Sequence, residues 1–151
     1  MRAAILLFAL ACSSEPAAPP AAPVAAPTAP AAPAAPAAVG PDGPESIAVP
    51  ALTAISTDAA DVAAGENIWG ARGCGGCHAF GSKLVGPDLT GLSSRRSLPW
   101  TMRQISEPEK MTREDPQSKK LLGEYMVQMP RQGVTPEELP KLLAYIKAKG
   151  G

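Results

Sequence analysis

The chain is 151 residues long, and its 14 basic and 14 acidic side chains cancel at pH 7, so no net positive field draws it to nucleic acid. Its 18 prolines, against two residues each of Trp, Tyr and Phe, exclude one continuous hydrophobic core along the whole length. With three cysteines and one histidine, the means of holding a metal ion through Cys and His alone are few.

From the N-terminus, "MRAAILLFALA" sets one positive charge ahead of a short apolar run closed by small residues. The run is too short to span a bilayer as a helix and reads as an export signal. It ends directly before Cys12 and resembles a bacterial lipoprotein signal, in which the cysteine after the cleavage site is lipidated. Ala11 fits the position before that cysteine, whereas Ala9 stands where leucine is usual. The resemblance implies a lipid on Cys12 and a place on the periplasmic side of a bacterial membrane. Ser13, where aspartate would signal inner-membrane retention, favours the outer membrane. The alternative is an ordinary secretory signal cleaved further on, which would release the protein to the periplasm.

Residues 13–50 contain 11 of the prolines, are otherwise mostly alanine and lack any aromatic side chain. Such a segment cannot bury enough surface to offset its chain entropy. It is expected to be a disordered, polyproline-II-like tether reaching roughly 120 Å when extended. The expected organisation is a signal at 1–11, the Ala/Pro-rich tether at 12–56 and one domain at 57–151, its foldable sequence starting near residue 52. Setting aside Arg2, Glu15, Asp42 and Glu45 leaves 13 basic and 11 acidic residues in the foldable part.

Four amphipathic helices, and no convincing alternating strand, are predicted there. The first covers 58–71, with Thr57 or Asp58 as its cap and Val62, Gly65, Ile68 and Trp69 on one side. The second covers 99–106, starting from Ser97 or Leu98, with Met102 and Ile105 inward and Pro108 as its end. The third opens with Asp115 as cap and Pro116 in the first turn, and spaces Leu121, Leu122, Tyr125 and Met126 along a helix. The last opens on "TPEELP", in which Thr135 and Glu138 make a capping-box pattern, and runs through Leu139, Leu142, Leu143 and Ile146. Pro140 lacks an N–H, so the regular helix should begin near Leu139. Between the first two helices lies the long, irregular, glycine-bearing stretch "AFGSKLVGPDLTGLSSRRS", a length uncommon in so small a domain unless something else organises it.

At the start of that stretch, "CGGCH" places Cys74, Cys77 and His78 within five positions. The spacing suits two thioether bonds to haem vinyl groups and a proximal iron ligand. A structural zinc site would want four ligands, and a thioredoxin-like pair a preceding strand in a βαβ setting. A single histidine excludes bis-histidine ligation and leaves methionine, lysine, water or an empty distal position. Among the methionines, Met126 reads as core packing four residues after Leu122, Met102 as core and Met111 as solvent-exposed or rim. Met129 precedes Pro130, which pushes it into an extended conformation suited to a strap across a haem face.

With "GENIW" before "CGGCH", then "VGPDLTGL", "MP" and a terminal helix containing "LLAYI", residues 57–149 resemble the class I c-type cytochromes. The resemblance implies an all-α fold of about four helices around one covalent haem c. It implies thioethers at Cys74 and Cys77, His78 as proximal ligand and Met129 as distal ligand, with Met126 as its rival. Pro87 matches the proline whose carbonyl accepts the proximal imidazole N–H. Arg95 matches a position that pairs with a haem propionate; Trp100 is either a second propionate donor or a core aromatic. Gly65 and Trp69 match the crossing of the first and last helices near Tyr145. The implied function is electron transfer by a monomeric, lipid-anchored, non-enzymatic carrier. Its partners would be redox proteins, membrane respiratory complexes or a periplasmic reductase, without nucleic acid. The alternative is a ligand-binding sensor or enzyme-associated module whose distal methionine is displaceable.

Overall fold

The computed structural model describes residues 39–151; the export signal, Cys12 and most of the proline-rich segment lie outside the described residues. Six α-helices and one short 3₁₀ turn make up the regular structure there, without a strand. α1 (Ala59–Ala71) starts where Asp58 Oδ1 accepts the Ala60 N–H at 2.8 Å. α6 (Leu139–Gly150) carries the buried stripe Leu142, Leu143, Tyr145 and Ile146, and the two helices pack along each other. Gly65 lies at their crossing: a Cβ there would stand 2.0 Å from the Lys141 carbonyl oxygen and 2.8 Å from Tyr145 Cβ. Only a residue without a side chain permits that approach.

The regular part of α6 begins at Leu139 despite Pro140, because a proline in the first turn removes an N–H that has no helical partner. The capping box forms just before it. Thr135 Oγ1 accepts the Glu138 N–H at 3.3 Å, and Glu138 Oε2 accepts the Thr135 N–H at 2.9 Å. The other helices are α2 (Leu92–Arg95), which packs on α6, α3 (Leu98–Ser106), α4 (Pro108–Glu114), which packs on α3, and α5 (Pro116–Tyr125), which packs on α4. Ser97 caps α3 and Asp115 caps α5 through their side chains.

Four expectations are corrected. Pro108 opens α4 as well as ending the helix before it: Glu107 breaks the helical path with φ −137° and ψ 59°, and Pro108 then needs no N–H partner. This short helix turns Met111 inward against Ile47 and Trp100, where it is 0 % exposed rather than at the rim. Met126 is 80 % exposed, not core. The helix ends at Tyr125 and Met126 caps it with a positive φ of 56°, so the four-residue spacing from Leu122 no longer points it inward. Lastly, the C-terminal part of the expected tether is packed rather than free. Ile47 is buried with Trp100 and Met111. Val49, Leu52 and Ile55 lie against the Met102, Leu139 and Leu143 cluster. Arg103 donates to the carbonyls of Ile47 at 3.0 Å and Asp42 at 2.6 Å. Apolar side chains return to the sequence at these positions, and α3 supplies the donors their backbone needs.

Candidate haem site

α1 ends in a tight turn that carries the motif. Within Cys74–Gly76 the chain makes a 3₁₀ turn, and Cys77 and His78 both donate their N–H groups to the Cys74 carbonyl, at 3.2 and 3.0 Å. Cys74, Cys77 and His78 therefore project from a single turn. Burial pushes the Cys74 thiol up, opposed by a backbone hydrogen bond and by Arg72.

The irregular stretch that follows is organised by one carboxylate. Asp88 Oδ1 accepts the Thr90 N–H at 2.9 Å and the Gly81 N–H at 3.0 Å. The Thr90 N–H is the main cause holding the Asp88 carboxyl below its ordinary range, with Thr90 Oγ1, Gly81 and Arg95 adding to it. Backbone pairs Gly86 N–H to Cys77 O, 2.8 Å, and Leu89 N–H to Ala79 O, 3.0 Å, fold the loop back on the motif. The result brings the Pro87 carbonyl to 3.0 Å from His78 Nδ1. A carbonyl only accepts, so Nδ1 is the donor in this contact and Nε2 is the ring nitrogen left to face the cavity. Gly86 lies flat against the ring: a Cβ there would be 2.6 Å from His78 Cε1. The signal for this was a glycine directly before Pro87, whose contact with the imidazole the sequence does not disclose.

Met129 lies on the helix-free strap between α5 and α6. The strap is tied down from several elements. Arg131 forms an ion pair with Glu107, its N–H reaches Glu109 Oε1 at 3.1 Å, and Gln128 Nε2 donates to the Met129 carbonyl at 3.0 Å. At the far end of the strap, Glu138 accepts two hydrogen bonds from Arg72 at 2.7 and 2.8 Å. Arg72 is the main cause that lowers the Glu138 pKa.

Cys74, His78, Pro87, Arg95 and Met129 all line one cavity of about 360 Å³, walled by apolar side chains that include Leu92, Ile105, Leu121, Leu142 and Ile146. A smaller cavity of about 90 Å³ shares His78, Cys74 and Met129 and adds Cys77, Val85 and Val127. Met126 lines neither. At the wall of the larger cavity Trp69 packs at a tilt on Phe80 and Tyr145, with ring centroids 5.3 and 5.7 Å apart, at the crossing expected from the sequence. Arg95 donates to the Asp88 carbonyl at 2.9 Å, and its remaining N–H groups stay available at the cavity wall. Of the two readings of Trp100, the structure supports the core aromatic, because its indole N–H is taken by Asp115 Oδ1 at 3.0 Å. Two thiols, an imidazole held through Nδ1 and a thioether around an apolar cavity fit a covalently attached haem. No cluster of three or more His, Cys, Asp or Glu able to hold a metal ion occurs among the described residues.

The solved cytochrome c from Rhodothermus marinus is similar, with a TM-score of 0.63 and 25 % identity over 72 % of this chain and 90 % of that one. An engineered form of that cytochrome, Rma TDE, gives a TM-score of 0.63 at 23 % identity, over 74 % of this chain and 98 % of its own. The same engineered protein bound to a carbene intermediate gives 0.61 at 24 % identity, with the same two coverages. No curated protein matches the sequence. The cytochrome c family matches residues 62–149, which contain the "CGGCH" motif of that family's single covalent haem c. The chain belongs to the cytochrome c family, whose chemistry is haem-based electron transfer.

Proposed function

We propose that this chain is a membrane-tethered periplasmic electron carrier of a respiratory chain, and that it is not itself an enzyme. The observation that carries the reading is the convergence of His78 and Met129 on one apolar cavity, in a chain with a single histidine. Cys74 and Cys77 would hold the haem by thioethers, with His78 Nε2 and Met129 Sδ on the two faces of the iron. The haem supplies outer-sphere Fe(III)/Fe(II) electron exchange. A haem held from both sides by His78 and Met129 would leave no site for a substrate.

The chain's own residues set the conditions for that exchange. Pro87 and Gly86 fix the imidazole, one through its carbonyl and one through its shape. A thioether ligand and apolar walls favour the reduced iron. Arg95 is positioned to neutralise a propionate. Val85 and Val127, half-exposed beside Cys77, offer an apolar surface for redox-protein partners to approach, either membrane respiratory complexes or a periplasmic reductase. No helix among the described residues is long and apolar enough to cross a membrane, and the anchoring rests on the signal-like N-terminus and Cys12. A lipid there would raise the carrier's concentration near membrane complexes.

Carbon monoxide tests the carrier reading. The reduced, haem-loaded protein is expected to bind it negligibly at neutral pH, whereas ready binding would favour a sensor or enzyme-associated module with a displaceable methionine.

A further inference from the structure

Gln104, in the last turn of α3, touches Met129 in a manner that the ligand assignment alone does not require. Its amide Nε2 lies 3.9 Å from Met129 Sδ, within reach of an N–H···S contact. The other end of the amide meets the Ser118 hydroxyl, with Oε1 at 2.6 Å from Oγ. Ser118 Oγ also lies 3.1 Å from Asp115 Oδ1. That carboxylate oxygen already accepts the Ser118 N–H at 2.8 Å and the Trp100 indole N–H at 3.0 Å. Asp115 and Ser118 are each 2 % exposed, and no buried side-chain polar atom among the described residues lacks a partner.

This arrangement decides which way the amide faces. Ser118 has one hydroxyl proton, and a separation of 2.6 Å suits O–H···O better than N–H···O. The proton therefore goes to an amide oxygen. Reversing the amide would also point its oxygen at the sulfur, setting two acceptors against each other.

We infer that Gln104 is a positioning residue for Met129: its N–H donates to the sulfur and is held there by the buried Ser118 and Asp115 side chains. The inference rests on Met129 being the distal ligand. A thioether sulfur has two lone pairs; with one bound by Gln104, the other is the one offered to iron, which fixes the orientation of the ligand. Donation from Gln104 also draws electron density from the sulfur. That weakens its support of Fe(III) more than of Fe(II) and favours the reduced protein. Because α5 carries Ser118 and its cap Asp115, the tuning group on α3 is set by the helix that leads into the strap.

The test is spectroelectrochemical titration of the full haem-loaded chain as wild type, Gln104→Leu and Ser118→Ala, with the sulfur-to-iron charge-transfer absorption recorded for each. Gln104→Leu is expected to keep that absorption while its reduced-to-oxidised ratio at a fixed potential falls roughly threefold to tenfold, the size of one modest hydrogen bond. Ser118→Ala, which frees the amide without removing it, should shift the ratio in the same direction by less. An unchanged ratio in Gln104→Leu overturns the inference. Loss of the absorption in that variant overturns it too, since Gln104 would then merely pack the strap in place. Should Gln104→Leu fail to load haem, an unshifted Ser118→Ala has the same force. A wild type lacking the absorption would instead remove Met129 as ligand.

Discussion

The two faces of the site are built by different means. On the His78 side, the contacts that fix the imidazole join residues close in sequence: Pro87 O to Nδ1, Gly86 N–H to Cys77 O, and the Asp88 bonds to Gly81 and Thr90. On the Met129 side, the strap has no regular structure of its own, and Glu107, Glu109, Gln104 and Arg72 reach it from elements up to 66 residues away. A loop held mainly by short-range contacts closes at little entropic cost, whereas the strap depends on assembled helices. The proximal side is thus a socket of mostly local contacts and the distal side a tertiary product.

Breaking the socket should have the largest effect. Gly86→Val forces the His78 ring away from the Pro87 carbonyl, since even a Cβ would come within 2.6 Å of Cε1. Overpacking of this kind costs about 3 kcal/mol. Thermal unfolding of the loaded protein should show a fall of about 10–20 °C. An unaltered melting curve would mean that the loop yields where it is described as rigid.

Next comes the support of the strap. Asp115→Ala removes the cap of α5 and the buried acceptor of the Trp100 indole N–H, a loss of about 2 kcal/mol. The comparison is sharpened by where the damage falls. The charge-transfer absorption from the methionine sulfur should weaken, while the imidazole signals of His78 in a proton spectrum stay in place.

Acid should act on the socket through Asp88. Its carboxyl is held below the ordinary range, chiefly by the Thr90 N–H. Its stabilisation is therefore present above the ordinary carboxylate pKa and is lost as pH falls through the lowered value. Melting temperatures across an acid series should drop more steeply in wild type than in Asp88→Asn, and parallel curves would speak against this role. Glu138, lowered mainly by Arg72, makes the base of the strap lose support in the same sense. The smallest effect belongs to Met126→Ala, within about 0.5 kcal/mol by thermal melting, because the side chain is largely in solvent.

This division also explains what could be seen in the sequence. Cys74, Cys77, His78 and Pro87 stand close together, so their spacing encodes their geometry. Helix starts were legible for a similar reason: Asp58, Ser97, Asp115 and Thr135 each act on backbone groups within three residues. Met129 was suggested by Pro130, yet nothing local revealed Gln104 or the Arg131 ion pair with Glu107, which exist only once α3, α4 and the strap meet. Met111 sat among charged neighbours in sequence and was misread because an unexpected helix turns it inward. Met126 was misread for the converse reason, since its spacing continued a helix that had already ended. The packing of Ile47 was hidden by the proline-rich composition around it.

The most direct test of the account is the optical spectrum of the oxidised, haem-loaded protein as wild type, Met129→Ala and Met126→Ala. With His78 and Met129 as the axial pair, wild type and Met126→Ala show the sulfur-to-iron charge-transfer absorption and Met129→Ala lacks it. Survival of that absorption in Met129→Ala would contradict the account and place the distal sulfur elsewhere.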